Sequence, residues 1–202
     1  MAPIIVYGAH TTRSDIVLWA CRELNCPFEF QAVDWLAGEH KAPAFLAKNP
    51  LGQLPAAETE DGLITESGAI VLYLGEKFGA GTPLAVDTTA KRVNLVKWLL
   101  LANSTMCDDL FKKNGRVLDA LETVLSKQEY LCGSAFTLAD ISVACYLAWI
   151  PYFTKVDPEW KEEVWAAKWP ATHAYYKRCL ARPAGAESVP LGWLSKPEEW
   201  LV

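Results

Sequence analysis

Strand-like and helix-like patterns alternate along residues 1–78, and beyond residue 88 the strand pattern does not return. A chain written this way folds as two units of different architecture, because each unit must bury its own kind of apolar face. Ile4-Ile5-Val6-Tyr7 is β-branched and aromatic, as strands prefer. Ile16, Val17, Ala20 and Leu24 then recur at helical spacing. FEFQAV (28–33) alternates with period two, and a short helix is expected near 41–48. PAAETEDGLIT (55–65) reads as a strand, an Asp61-Gly62 turn and a second strand. An amphipathic helix follows at 66–78. The order β-α-β-α-β-β-α calls for a parallel pair, and the Asp-Gly hairpin adds an antiparallel edge.

GAGTPLAVDT (79–88) carries two glycines and a proline and reads as a linker. Helical periodicity then covers about 89–113, 115–127, 138–150 and 170–181, an all-helical unit over 89–202. One helix start inside it is sharply marked. Thr137 and Asp140 have capping-box spacing, and Phe136 and Ile141 occupy the positions of a hydrophobic staple.

Composition narrows the function classes. The chain has 202 residues, 51% of them hydrophobic and 21% charged, with net charge −5, so it can bury a core in each unit. No block of lysine and arginine offers a nucleic-acid surface, so that partner is not expected. No apolar run approaches the roughly 18–20 residues that span a bilayer. The start, MAPIIVYGAH, lacks the basic and apolar regions of a secretory leader, and a cytoplasmic location is expected. None of the six cysteines forms a C-x-x-C pair, and His10, His40 and His173 stand apart from them. Neither a metal site nor a disulfide framework is expected.

Two stretches carry chemistry. The first is GAHTTRSDI (8–16), at the corner between the first strand and the first helix. It brings His10, Thr11, Thr12 and Ser14 to a place where backbone N–H groups point outward. Thr12 with Asp15 also fits a capping box, so a catalytic hydroxyl and a helix cap are both open. The second is NPLGQLPAAETEDGLITESGAIVLYL (49–74). A cis Pro55 would let the Leu54 backbone pair with an extended peptide as an added strand. Ser67 and the free N–H groups of the helix start can hold a carboxylate.

This second stretch resembles the cytosolic glutathione transferases, and the resemblance covers nearly the whole chain. It is specific in the N-P-x-G-Q-x-P…E-S block and in the Thr137–Asp140 box. GEHKAPAFLAKNPLGQLP (38–55) is similar to a loop of the phi class. The resemblance implies a thioredoxin-like domain over 1–78, a linker over 79–88 and an all-helical domain over 89–202. It implies that His40 and Lys41 contact the glycine carboxylate of glutathione. Gln53 and the Leu54 backbone, ahead of Pro55, would hold the cysteinyl part, and Glu66 and Ser67 the γ-glutamyl end. It also implies a homodimer.

Such an enzyme must present glutathione as a thiolate. Lowering a thiol pKa by about two units needs roughly 2.7 kcal/mol. A hydrogen bond to a charged group supplies about 1.5–3 kcal/mol and a helix N-terminus about 0.3–1 kcal/mol. One hydroxyl is therefore sufficient. Phi and theta relatives carry a serine there, but this corner is one residue shorter than the phi pattern. Counting from Tyr7 lands on Thr12 and counting back from Val17 lands on Thr11; Ser14 lies deeper. The similarity of Thr12-Arg13-Ser14 to the S-R-S of bacterial relatives favours Thr12. His10 is expected at the pocket rim, not as a general base. No cysteine stands in the corner, which disfavours thiol-reductase chemistry.

A hydrophobic electrophile would be the second substrate. Candidates to contact it are Trp98, Leu101, Ala102, Thr105 and Met106 on the first long helix of the second unit, with Trp35 and Leu36 on the loop before His40. Conjugation and glutathione-dependent peroxide reduction are both open. Residues 137–163 also resemble the transferase-like domain of the elongation factor 1 gamma subunit, which implies a non-catalytic scaffold as the alternative.

Overall fold

A computed structural model describes residues 2–112, 115–150 and 161–189. Parts of the expected 89–113 helix and of the 137–163 resemblance, and the end of the helical unit at 190–202, lie outside the described residues. β1 (Ile4–Gly8) leads through the corner into α1 (Ser14–Glu23) and then β2 (Phe28–Ala32). A 3-10 turn (Glu39–Lys41) and the short α2 (Pro43–Leu46) precede the hairpin of β3 (Ala56–Thr59) and β4 (Gly62–Thr65). α3 (Ser67–Phe78) completes this unit.

The sheet order is β2-β1-β3-β4. β1 and β2 run parallel with Ile4 opposite Phe28, while β3 is antiparallel to β1, with Tyr7 opposite Ala56. Period-two alternation divides the strand side chains between two layers. Val6 and Ala57 face a core built with Ile16, Trp19, Ile70 and Leu74 of α1 and α3. Tyr7 and Ala56 face the opposite side, where Phe45 of α2 and Val33 cover them. Gly8 ends β1 where α1 comes down on the sheet, and a Cβ there would overlap the Ser14 hydroxyl.

α1 stops in a Schellman arrangement. Asn25 turns left-handed at φ +48°, the Asn25 N–H bonds the Arg22 carbonyl and the Cys26 N–H bonds the Cys21 carbonyl, both at 3.1 Å. This reversal feeds the chain straight into β2.

The second unit is helical: α4 (Thr89–Leu100), α5 (Cys107–Phe111), α6 (Arg116–Leu125), α7 (Leu138–Leu147), α8 (Glu162–Lys168), α9 (Pro170–Leu180) and α10 (Pro183–Ser188). The single helix expected over 89–113 is interrupted by a π-helical turn, Leu101–Met106. There the Ser104 hydroxyl donates to the Leu100 carbonyl at 2.6 Å, a back-bond that competes with the regular ladder. α7 starts as the sequence indicates. The buried Asp140 carboxylate accepts the Thr137 N–H at 2.7 Å, the Thr137 hydroxyl at 2.9 Å and the Leu131 N–H at 2.9 Å.

α8 and α10 were not anticipated from periodicity. α8 is seven residues long, and α10 (PAGAES) is made of small and polar residues with proline at its first position. α10 matters nonetheless, because it ties the two units together. Arg22 on α1 meets Glu187 at 2.8 Å and Ser188 at 3.0 Å, and Arg182 grips the buried Glu23 with bonds of 2.7 and 2.6 Å. No helix among the described residues is long and apolar enough to cross a membrane.

Candidate active site

The corner between β1 and α1 is tight, and Thr11 sits in it at φ +62°, a conformation that costs a β-branched residue. Asp15 holds it there. One oxygen of the buried Asp15 carboxylate accepts the Thr11 N–H at 2.8 Å, and the other lies 2.9 Å from His10 Nδ1. Burial pushes the Asp15 carboxyl above its ordinary range, and the His10 and Thr11 bonds partly pull it back. The expected Thr12–Asp15 capping box is thus displaced by one residue, because the left-handed turn at Thr11 presents its own N–H to Asp15.

Thr12 is freed from that cap and joins Ser14 instead. Its hydroxyl lies 2.6 Å from the Ala9 carbonyl and 2.8 Å from Ser14 Oγ, and it accepts the Ser14 N–H at 3.1 Å. Ser14 is fully buried and accepts the Ala9 N–H at 3.2 Å. The Thr11 hydroxyl turns back to the His10 carbonyl at 2.6 Å. Of the three hydroxyls, only Thr12 lines the cavity that opens beside this corner.

That cavity has a volume of about 410 Å³, within the range of small-molecule sites. On one side it is walled by the segment 40–55. Gly52 stands at φ +56°, where a Cβ would fall 2.7 Å from the His40 carbonyl. Around it Lys41 Nζ donates to the Leu51 carbonyl at 3.1 Å and the Gly52 carbonyl at 2.7 Å. The buried Asn49 braces the same turn, donating to the Gln53 carbonyl at 2.8 Å and accepting the Leu51 N–H at 3.2 Å. His40 lines the cavity, and its Nδ1 is buried with no hydrogen-bond partner. The Leu54–Pro55 peptide bond is cis, and among the described residues the Leu54 backbone makes no intramolecular hydrogen bond.

The opposite wall is the start of α3. Glu66 caps it at φ +69°, outside the regions most non-glycine residues adopt. The first intrahelical bond is Ile70 N–H to the Glu66 carbonyl at 3.0 Å. The N–H groups of Ser67, Gly68 and Ala69 are therefore without intrahelical partners and favour an anion.

The fold brings Thr12, Trp35, His40, Lys41, Gln53, Leu54, Pro55, Glu66 and Ser67 to one cavity. His10 stays outside it, packed on Phe30 with ring centroids 5.0 Å apart. The candidates on the first long helix do not reach it either. Trp98, Ala102 and Met106 are buried in the core, where the apolar face of that helix packs against α7, and Leu101 packs on the same core. Thr105 is half-buried beside Ser104 and away from the cavity wall, while Leu36 is exposed. Four lining residues were missed by sequence reasoning: Arg13, Asn49, Gly52 and Trp149. Asn49 opens the N-P-x-G-Q block and could have been picked as a turn former. Arg13 and Trp149 carry no local signal.

The pocket offers an anion-binding helix start, an unpaired Leu54 backbone and a hydroxyl at a second helix start, on a domain with a thioredoxin-like sheet. Comparison with known proteins gives the family. The family described as "Glutathione S-transferase, N-terminal domain" matches residues 2–76, and "Glutathione S-transferase, C-terminal domain" matches 88–183. Glutathione S-transferase 3 of Zea mays is 30% identical over 94% of this chain and 94% of its own. Among solved structures, glutathione transferase F7 from Populus trichocarpa aligns at 28% identity and TM-score 0.77, covering 93% of this chain and 98% of its own. The glutathione transferase URE2P6 from Phanerochaete chrysosporium, in complex with oxidized glutathione, aligns at 27% identity and TM-score 0.79, covering 96% and 97%. The chain belongs to the glutathione S-transferase family, and it is a transferase enzyme with that family's two-part fold.

Proposed function

We propose that this chain binds glutathione across the cavity and transfers its thiolate to a small hydrophobic electrophile. The observation that carries the reading is the convergence, on one cavity, of residues distant in sequence that match the three parts of glutathione. Lys41 and His40 suit the glycine carboxylate: Lys41 spends two N–H groups on carbonyls and keeps a third, and His40 Nδ1 is unpartnered. Gln53 and the unpaired Leu54 backbone suit the cysteinyl peptide unit. Glu66, Ser67 and the first N–H groups of α3 suit the charged γ-glutamyl end.

This layout puts the thiol toward Thr12. Its hydroxyl donates to the sulfur, and the start of α1 favours the negative charge. The nucleophile belongs to glutathione, so no basic side chain is required. Trp35 and Trp149 offer the apolar wall against which an electrophile would lie. In this reading residues 1–78 supply the glutathione site and the Trp35 side of the wall, and 89–202 the Trp149 side. Relatives aligned over nearly the whole chain are named as transferases, which favours turnover over a scaffold role. The unpaired state of all six cysteines suits a reducing, cytoplasmic setting.

A homodimer completes the proposal. Val93 and Leu100 lie seven residues apart on one face of α4 and are 60% and 64% exposed, with Leu51 and Leu63 also exposed on the first unit. Such apolar surface suits a subunit interface.

The test is direct. Titration calorimetry should show glutathione binding at millimolar or lower concentration, and an apolar electrophile should be consumed with loss of free thiol. A protein that binds no glutathione in that range would overturn the reading.

A further inference from the structure

His10 and Asp15 meet across the corner without lining the cavity, and the thiolate transfer uses neither of them directly. One Asp15 oxygen lies 2.9 Å from His10 Nδ1, and the other accepts the Thr11 N–H at 2.8 Å. The Asp15 backbone N–H donates in turn to the Thr12 carbonyl at 3.1 Å. One residue of α1 thus grips the chain on both sides of the Thr12 side chain, ahead of it through its carboxylate and behind it through its own backbone.

This grip maintains a backbone that Thr11 does not favour. At φ +62° a β-branched residue is strained, and glycine, asparagine or aspartate ordinarily stand there. The next residue inherits the consequence. With Thr11 left-handed, the Thr12 hydroxyl comes to 2.6 Å from the Ala9 carbonyl and 2.8 Å from Ser14 Oγ, at the cavity wall. A return of Thr11 to negative φ would swing the peptide that leads into Thr12 and carry its hydroxyl off that wall.

The clamp is itself supported. Asp15 is 5% exposed, and a carboxylate so buried needs partners for both oxygens. Thr11 supplies one, and His10, packed on Phe30 of β2, supplies the other. The sheet steadies the carboxylate, and the carboxylate steadies the turn.

We propose that Asp15, backed by His10, is a positioning residue for the transfer: it holds Thr11 left-handed and so fixes where the Thr12 hydroxyl meets the glutathione sulfur. The inference rests on the glutathione reading and names the device that places its hydroxyl. Asp15 touches neither substrate and acts through Thr12. Its loss therefore falls on turnover and on the bound thiol, while the segment 40–55 and the start of α3 still hold glutathione.

The experiment pairs a loss with a backbone rescue. Turnover, KM for glutathione and the titration of the bound thiol are measured on the full chain, with an activated aryl chloride (chlorodinitrobenzene) as the electrophile. The sulfur bonds to the ring carbon, and chloride leaves from that carbon. Asp15→Ala should lower kcat about 10–100-fold, the scale of a small misplacement of a catalytic group. KM for glutathione should stay within about threefold, and the bound thiol should titrate about one unit higher. Adding Thr11→Gly to Asp15→Ala should restore most of the lost kcat, since glycine takes a positive φ without support. Asp15→Asn should stay within about threefold of wild type, because its amide oxygen still accepts the Thr11 N–H and its NH2 suits the other tautomer of His10. In a Thr12→Val background, Asp15→Ala should add less than about twofold, because both changes act on one hydroxyl.

Wild-type kcat in Asp15→Ala, a loss that Thr11→Gly leaves in place, or an Asp15→Asn as slow as Asp15→Ala would each overturn the proposal. If Asp15→Ala does not fold, the Thr11→Gly, Asp15→Ala double variant against wild type decides. A kcat within about fivefold supports the clamp, and a loss of about tenfold or more overturns it. If wild type bound no glutathione, the glutathione reading itself would fall. Glutathione turnover by wild type with no rescue would remove only this inference.

Discussion

Thr12 has its hydroxyl shared between the Ala9 carbonyl at 2.6 Å and Ser14 Oγ at 2.8 Å, so a bound thiolate must win the Thr12 proton from one of them. A charged acceptor outcompetes a neutral carbonyl by roughly a factor of two in bond strength. Ser14 can then donate to Thr12 from behind and polarise it further. Thr12→Val, which keeps the shape and removes the hydroxyl, should lower kcat/KM about 10–100-fold, the kinetic equivalent of losing one charged hydrogen bond. Ser14→Ala should cost less, and Thr12→Ser should keep most of the activity, as steady-state kinetics will show. The residue types were readable in the sequence, and similarity to S-R-S put Thr12 first, while residue counting alone left Thr12 and Thr11 open. Two counts across the corner gave Thr12 and Thr11, because a left-handed residue at Thr11 absorbs the missing length, and sequence spacing does not record a backbone turn. Arg13 also lines the cavity, though nothing in the local sequence marks it.

At the scale of elements, an apolar stripe shows which helix face is covered without showing what covers it. Trp98, Ala102 and Met106 fit a ligand wall in sequence and pack in the core in the structure. Met106→Ala should therefore destabilise the fold by about 2–5 kcal/mol in urea unfolding while leaving glutathione affinity unchanged. The α7 start was legible because its capping chemistry is local. Asp140 stands three residues from Thr137, and both oxygens of its buried carboxylate are used. Asp140→Ala strands buried donors and should cost about 3 kcal/mol in the same unfolding measurement. The hairpin and parallel pair were equally legible, since Asp61-Gly62 and the β-branched run at 4–7 act over a few residues. The π-helical turn was not, because a hydroxyl back-bonding to its own helix leaves the apolar period unaltered.

Across the whole molecule, the two units are joined at points no sequence motif announces. Arg182 with Glu23, Arg22 with Glu187, and Asn103 with Ser67 and Arg13 are separated by tens of residues or more in the chain. They seat the helical unit on α1 and α3, the two helices whose starts border the cavity. The proposed homodimer would cover Val93 and Leu100 on α4. Leu100→Glu should shift sedimentation from dimer to monomer at micromolar concentration with little loss of helical signal. A wild type that sediments as a monomer there would count against the dimer and leave the site reading in place.

The central claim is that the corner around Thr12 holds glutathione as a thiolate, and the pKa of the bound thiol tests it most directly. Ultraviolet titration of thiolate absorbance in the complex should give an apparent value about two units below the roughly 8.5 of a free thiol. The thiolate population, and with it the rate of conjugation, would then rise at correspondingly lower pH. In Thr12→Val the titration should move back up by about one unit or more. A bound thiol that titrates at its free value in the wild type, or at one value in wild type and variant alike, would contradict the account.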